Sequence, residues 1–469
     1  MFIGRKKELD VLDKEYSKDG FRFVVLYGRR RVGKTSLISK FLAGKKAIFY
    51  IATEQNDKLA LENFSEKVLN VFPSAKSMID TFPTWEKAFT YIAEEAKGER
   101  VILAMDEYPY LANSNSALSS ILQKLIDTTF QNSQLFLLLC GSSMSFMENQ
   151  ILGYQSPLYG RRTAQIKLEA FDFFDSALFF PHFSLEEKMI AYAAFGGTPQ
   201  YLSYCQESPN VYAAIYDNFL TKTGPLFEEP ENLLKQELRE PATYNTIIQA
   251  VAKGSSKLNE IATKTGEEGK KCAKYLKSLI SLQIIYKEYP IGRESERNGI
   301  YKLRDNMFKF WYRFIPQNNT SIEANHGQEV LQNRVIPNLN HYIGLIFEDV
   351  CTQYLMRKNW SSFVPFPFHT IGRWWGSNPV TKKQNEIDIV AQGDNETLLG
   401  ECKWTTEPVG TEVLEKIITI ASTVKSFQNQ HYILFSKSGF TNTLKIISET
   451  KPNIQLINYD ESFLSLSSV

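Results

Sequence analysis

The sequence predicts an α/β protein of several domains, with two strand-built regions separated by a helical one. Three observations predict it. From residue 1 to about 220, short apolar strands alternate with amphipathic helices. At "GPLFEEPENLLKQELREP" the chain turns Glu- and Pro-rich and a lysine-rich helical stretch follows; beyond about residue 340, aromatic-rich strands return. A length of 469 residues leaves room for two to four domains of ordinary size.

The totals narrow the class. Hydrophobic residues make up 43% and charged residues 22%, enough apolar material for real cores. Lys and Arg number 53 against 52 Asp and Glu, a net charge of +1, so any nucleic-acid contact must come from a local patch. Cys140, Cys205, Cys272, Cys351 and Cys402 are scattered with no CxxC pair, which argues against a zinc site or a disulfide framework. "MFIGRKKELD" is charged by its fifth residue, and no run approaches the length of a membrane span. These features predict a reduced, cytoplasmic protein with no membrane partner.

Taken in order, "FRFVVLYGRRRVGKTSLISKFL" is a buried-type strand, a glycine loop and a helix. Residues Gly28, Arg29, Arg30, Arg31, Val32, Gly33, Lys34 and Thr35 fit GxxxxGK[ST], with Ser36 opening the helix, the context that a P-loop requires. Gly28 and Gly33 would let backbone N–H groups face phosphates at the helix N-terminus. Lys34 would reach the β- and γ-phosphates and Thr35 would hold Mg²⁺, so ATP and Mg²⁺ are the expected cofactors. A second strand, "RVILAMDEYPYL", ends in Asp106 and Glu107. There Asp106 would bind Mg²⁺, and Glu107 would orient or deprotonate an attacking water. A third strand, "SQLFLLLCGSSMSFM", ends in Gly141-Ser142-Ser143 and offers Ser142 as a sensor of the γ-phosphate.

Together "FIGRKKEL", "GRRRVGKTS", "MDEYPYL", "CGSSMSFM", "SPLYGRRT" and "FGGTPQYL" resemble the archaeal-type ATPases of the AAA+/STAND group over nearly the whole chain. The resemblance implies an ASCE P-loop core over residues 1–170, with an extra strand between the two that carry the P-loop and Asp106, and a helical lid over 171–228. It places Ile3, Gly4 and Arg5 near an adenine pocket and Pro199 of the lid against the base. It makes Arg161 or Arg162 the arginine that completes an ATP site, in the same chain or in a neighbouring subunit; the latter would go with a homo-oligomer formed on ATP. An arginine pair beside glycine is otherwise an ordinary solvated turn.

"PATYNTIIQAVAKG", "SKLNEIATKTG" and "EEGKKCAKYLKSLISLQIIYKEYPI" read as three helices and a strand, followed by "NGIYKLRDNMFKFWYRF", a strand and an aromatic helix. That is the plan of a winged helix-turn-helix, placed at 229–320. Lys270, Lys274 and Lys277 share one face of the third helix, opposite Cys272, Leu276 and Leu279. A lysine face suits a DNA phosphate backbone. The bland alternative is a solvated face on a module that only packs between domains.

Over 321–469, helix "NHYIGLIFEDVCTQYLMRK", strands "NEIDIV" and "LGECKW", helix "TEVLEKIITIASTVKSF" and strand "HYILFSKSGF" give the order α, β, β, α, β. With Asp388 on one strand and Glu401-x-Lys403 on the next, this resembles the PD-(D/E)xK nuclease core, an α/β restriction-endonuclease-like domain. Glu401 and Lys403 are two apart on a strand and so share a face; Glu348 of the helix would complete a carboxylate set. Asp388, Glu401 and Glu348 would hold Mg²⁺ or Mn²⁺, and Lys403 would position the attacking water or stabilise the charge on a phosphodiester. The alternative is a hairpin with an ion pair in a domain used only for binding. The expected function is an Mg²⁺-dependent ATPase regulating a metal-dependent nuclease-like domain that acts on DNA. The competing one is an ATP-dependent oligomerising signalling or scaffold ATPase that binds nucleic acid or protein without cleavage.

Overall fold

A computed structural model describes residues 2–292, 295, 298–377, 382 and 384–464. Its first unit carries strands β1 (Arg22–Tyr27), β2 (Ala47–Ile51), β3 (Val101–Asp106), β4 (Leu135–Gly141) and β5 (Ala164–Lys167). They pair in parallel in the order β2-β3-β4-β1-β5. A parallel sheet is covered on both faces, so its strands read as unbroken apolar runs. Accordingly β1 is buried from Phe23 onward and β4 throughout. Alternate side chains feed two cores. Phe23, Val25 and Leu137 pack with Phe64 and Phe89 on one face, and Val24, Leu26 and Leu138 with Leu37 and Phe41 on the other. The extra strand implied by the family resemblance is β4, seated between β1 and β3.

This unit runs to Ala170 and takes back Thr198–Gln200; the second comprises Phe171–Gly197 and Tyr201 onward. Gly197 is required where the second unit begins. A Cβ there would fall 1.8 Å from the Phe171 carbonyl oxygen, and the Phe171 N–H donates to the Gly197 carbonyl at 2.8 Å.

In the second unit, helices Pro241–Ala252, Leu258–Thr265 and Gly269–Ser281 precede an antiparallel hairpin of β6 (Ile285–Glu288) and β7 (Ile300–Leu303). Cys272, Tyr275, Leu276 and Leu279 of the third helix are buried, while Lys270, Lys274 and Lys277 are exposed. The aromatic helix Asn306–Phe314 buries Phe308, Phe310 and Trp311. The long helix Ile336–Lys358 lies beside it, and Tyr342 Oη donates to the Ala193 carbonyl at 2.8 Å.

A second sheet follows: β8 (Thr370–Ser377), β9 (Gln384–Gln392), β10 (Thr397–Lys403), β11 (Gln430–Ser436) and β12 (Ile454–Asn458), in the order β12-β11-β10-β9-β8. The β8/β9 and β9/β10 pairs are antiparallel, and the β10/β11 and β11/β12 pairs parallel. "RWWG" lies on β8, so the order is α, β, β, β, α, β rather than the α, β, β, α, β expected. Its alternation is broken by Gly372 and by a register shift between Gly372 and Trp374, which hides an edge strand from pattern reading. All five cysteines are buried. Among the described residues no helix is long and apolar enough to cross a membrane.

Candidate functional site

The loop after β1 is held open by local backbone choices. Gly33 has φ 88 and Arg31 φ 70, both left-handed, and the helix Lys34–Leu42 starts directly behind them. Gly28 is glycine for a second reason besides the phosphate-facing curl: a Cβ there would lie 2.3 Å from the Leu168 carbonyl oxygen after β5. Lys34 is buried and its Nζ donates to the Gly28 and Arg29 carbonyls at 2.9 and 3.1 Å. The arginines between the glycines have their own anchors. Arg29 donates to Thr198 Oγ1 at 3.1 Å and Arg30 to Tyr110 Oη at 3.2 Å.

Opposite the loop, the end of β3 supplies the acids. Asp106 is buried, and its Oδ2 accepts from Thr35 Oγ1 at 2.7 Å. These hard oxygens fit an Mg²⁺ site, whose usual ligands are one or two protein oxygens together with phosphates and waters. Glu107 has φ 52, a left-handed conformation that costs about 1–3 kcal/mol in a non-glycine residue. Hydrogen bonds hold it there. Its N–H donates to Asp106 Oδ1 at 2.9 Å, and its Oε2 accepts from Ser142 Oγ at 2.8 Å and Ser142 N at 3.2 Å. Ser142 reaches Glu107 because Gly141 ends β4 without a side chain; a Cβ would lie 2.9 Å from Pro109 Cδ and 2.7 Å from Met147 Sδ.

The remaining residues expected at this site fall differently. Arg5, expected near adenine, sends its guanidinium to the Val32 and Glu169 carbonyls at 3.0 and 2.6 Å, bracing the loop; Ile3 and Gly4 are half-buried just before it. Pro199 packs on the loop itself: a Cβ added to Gly33 would be 3.7 Å from its Cγ. Arg161 is engaged within the chain, with Nε and Nη2 on the two Asp127 oxygens at 2.8 and 2.7 Å. That bidentate pair holds the Asp127 carboxyl below its ordinary range. Arg162 beside it is half-buried.

A second cluster lies on β9 and β10. Asp388 and Glu401 are 5% and 3% exposed, one step beyond the paired residues Ile389 and Gly400. Asp388 Oδ2 accepts the Cys402 N–H at 3.0 Å. Glu401 Oε1 accepts from Lys403 Nζ at 2.7 Å and from Lys416 Nζ of the helix Thr411–Ala421 at 3.1 Å. Glu401 Oε2 is buried without a hydrogen-bond partner. Burial, reinforced by the Glu401 charge, pushes the Asp388 carboxyl up to about 6. Burial opposes the charge on Lys403, but Glu401 outweighs it and holds that amine above the usual lysine range.

Glu348, expected in the same set, pairs with Arg373 and still feels the Asp388 charge. Its Oε2 lies 3.2 Å from Arg373 Nη2, which also meets Glu386 Oε1 at 3.2 Å. Burial, then the Asp388 charge, raise its carboxyl to about 8. Among the described residues, no three Asp, Glu, His or Cys side chains form a group able to hold a metal. The carboxylates at hand are therefore the pair Asp388 and Glu401, whose hard oxygens and orphaned buried Oε2 suit a divalent cation. Lys416 and Arg373 escaped the sequence reading. Lys416 sits on a helix beyond the motif, and Arg373 in the broken pattern of β8.

Comparisons with known proteins agree with the first site. A family profile described as an ATPase domain predominantly from Archaea matches residues 2–205. A second, described as archaeal and bacterial proteins of unknown function, matches residues 311–417 and so spans Glu348, Asp388, Glu401, Lys403 and Lys416. An uncharacterized protein of Methanocaldococcus jannaschii is 32% identical over 408 residues, 86% of this chain and 88% of that one. An uncharacterized ATP-binding protein of the same organism is 52% identical over 46 residues, 10% of this chain and 78% of its own. A Walker-type ATPase of Pyrococcus abyssi superposes with a TM-score of 0.50 at 20% identity, over 66% of this chain and 96% of that chain, and shares its fold.

Proposed function

We propose, from the archaeal-type ATPase domain that residues 2–205 match, that the chain's ATP cycle on Mg²⁺ regulates a nuclease-like domain acting on DNA. For the ATPase, the observation that carries the reading is the chain of contacts Thr35–Asp106–Glu107–Ser142. Lys34 would leave the Gly28 and Arg29 carbonyls for phosphate oxygens, exchanging two neutral acceptors for charged ones. Thr35 and Asp106 would hold Mg²⁺, which when bound neutralises charge building on the β- and γ-phosphates. Glu107, fixed by Ser142, would orient the attacking water and take its proton. With Arg161 engaged by Asp127, Arg162 is the arginine left to complete an ATP site. Phosphate release lost in both Lys34→Ala and Glu107→Gln, with ATP still bound by the second, is the expected result; release unchanged in Glu107→Gln would remove that residue from the mechanism.

For the nuclease, the supporting observation is Asp388 and Glu401 buried side by side on neighbouring strands, with Lys403 on Glu401. A divalent cation held there would polarise a phosphodiester. Asp388 and Glu401 would supply its oxygens, and Lys403 would steady the developing charge on phosphorus. The three helices and hairpin over 241–303 fit a winged helix, and its exposed Lys270, Lys274 and Lys277 would lie along a phosphate backbone. A second reading is favoured by Glu401 Oε1 being shared by two lysines. A carboxylate neutralised in that way suits a domain that binds without cutting, as in a signalling or scaffold ATPase that assembles on ATP. DNA incubated with Mg²⁺ or Mn²⁺ separates the two. Cleavage lost in both Asp388→Ala and Lys403→Ala supports the nuclease, whereas intact DNA under every condition sinks it and leaves the binding role.

A further inference from the structure

The second unit holds a cavity of about 320 Å³ that neither site above uses. It is bounded by the β6/β7 hairpin, the end of the Pro241–Ala252 helix, the aromatic helix, the long helix and β8. Its walls combine two chemistries. Tyr286 and Tyr342 bring aromatic rings, and Lys309, Arg313 and Arg373 bring cations. Tyr301, opposite Lys287 in the hairpin, turns its side chain to the other face from Tyr286, which is opposite Lys302.

The cations are not equally engaged. Lys309 pairs with Asp349 at 3.2 Å, and Lys302 with Glu288 at 2.7 Å. Arg373 is divided between Glu348 and Glu386. Arg313 pairs with no carboxylate among the described residues, and its guanidinium lies 6.0 Å from the centre of the Tyr342 ring. A half-buried guanidinium without a counter-ion, beside two cations that already hold carboxylates, has donors left for one phosphate. Planar, five-donor geometry matches phosphate oxygens better than a single carboxylate. The Tyr286 ring gives a flat base a stacking surface. Ligand sites run from about 300 to 1,000 Å³, so this one is sized for a single nucleotide rather than two.

We propose that this cavity binds a nucleoside 5′-phosphate, its phosphate on Arg313 and its base against Tyr286. The same chemistry is presented by a free mononucleotide and by the 5′-phosphorylated end of a DNA strand.

Calorimetric titration tests it, using the full chain with Lys34→Ala to suppress nucleotide binding at the P-loop. The probes are AMP and a DNA hairpin with and without a 5′-phosphate. AMP binding weakened at least tenfold by adding Arg313→Ala or Tyr286→Ala, and within twofold of its parent with Lys445→Ala on an exposed helix, is the expected result. Binding of the phosphorylated hairpin alone, with the same dependence on Arg313, assigns the site to strand ends. Binding that ignores both cavity substitutions, or no binding of either probe, overturns the proposal. The stoichiometry of ADP with Mg²⁺ on the unaltered chain decides the matter should a variant fail to fold: two per chain supports the cavity, and one overturns the proposal. Because the readout is binding, the outcome does not depend on whether Asp388 and Glu401 support cleavage.

Discussion

Replacing Ser142 by alanine removes one hydrogen bond and little else. The hydroxyl donates to Glu107 Oε2 at 2.8 Å, and the backbone N–H of the same residue reaches that oxygen at 3.2 Å. A hydrogen bond to a charged group is worth about 1.5–3 kcal/mol. The backbone donor remains in the variant, so the loss belongs at the lower end, about 1.5 kcal/mol, which is roughly tenfold in rate. Glu107 occupies a left-handed conformation that its surroundings must enforce, so a freed carboxylate spends less time facing the γ-phosphate. The cost should fall on kcat, since Ser142 is linked to the carboxylate rather than to the loop that binds phosphate. Steady-state phosphate release at saturating Mg²⁺ measures it, with Ser143→Ala as the neighbouring control at unaltered rate. A Ser142→Ala protein with kcat within twofold of the parent, or one whose loss appears only in KM, would refute the positioning role.

The remaining predictions concern the metal, the backbone and the lysine face. Thr35→Ala should raise the Mg²⁺ concentration giving half-maximal ATPase activity by about tenfold or more, because Asp106 loses its neighbouring oxygen; a magnesium titration of phosphate release checks it. Gly197→Ala should destabilise the protein by about 3 kcal/mol or more, since the new Cβ would collide with the Phe171 carbonyl. Gly344→Ala, inside the long helix with nothing within 4 Å of its Cβ, should stabilise it by up to about 1 kcal/mol. Thermal melts followed by circular dichroism should therefore move in opposite directions. Replacing Lys270, Lys274 and Lys277 together by alanine should lower the slope of log affinity for DNA against log salt by up to about 2.7, at about 0.9 per phosphate contact. An unchanged slope in a filter-binding salt series would leave those lysines as a solvated face.

What could be read from the sequence was mostly local. Gly28 to Thr35 sit within one loop, and their strand and helix context is contiguous, so spacing alone located them. Asp106 and Glu107 followed from the end of an apolar run. Non-local facts were harder. That Gly28 is needed by Leu168, or that Arg29 meets Thr198, depends on strand order rather than spacing. Arg5 looked like part of a ligand pocket, but it spends its donors on carbonyls of Val32 and Glu169. Asp388, Glu401 and Lys403 were legible because charge inside an apolar strand is costly and invites explanation. Their companions were not. Lys416 reaches Glu401 from an amphipathic helix where a lysine is unremarkable, and Arg373 pairs with Glu348 from a strand whose alternation is broken.

The buried cysteines have a practical consequence for watching this protein move. Only the thiolate attacks maleimides and iodoacetamides, and burial pushes the thiols of Cys140, Cys205, Cys272, Cys351 and Cys402 above their usual range. The native chain should therefore react slowly with such reagents while folded, which a thiol titration with and without denaturant checks. A single cysteine introduced at the exposed Lys274 would be the one reactive handle, with no need to strip the interior of its sulfur first. Dye fluorescence or spin-label spectra could then follow the lysine-bearing helix through an ATP cycle.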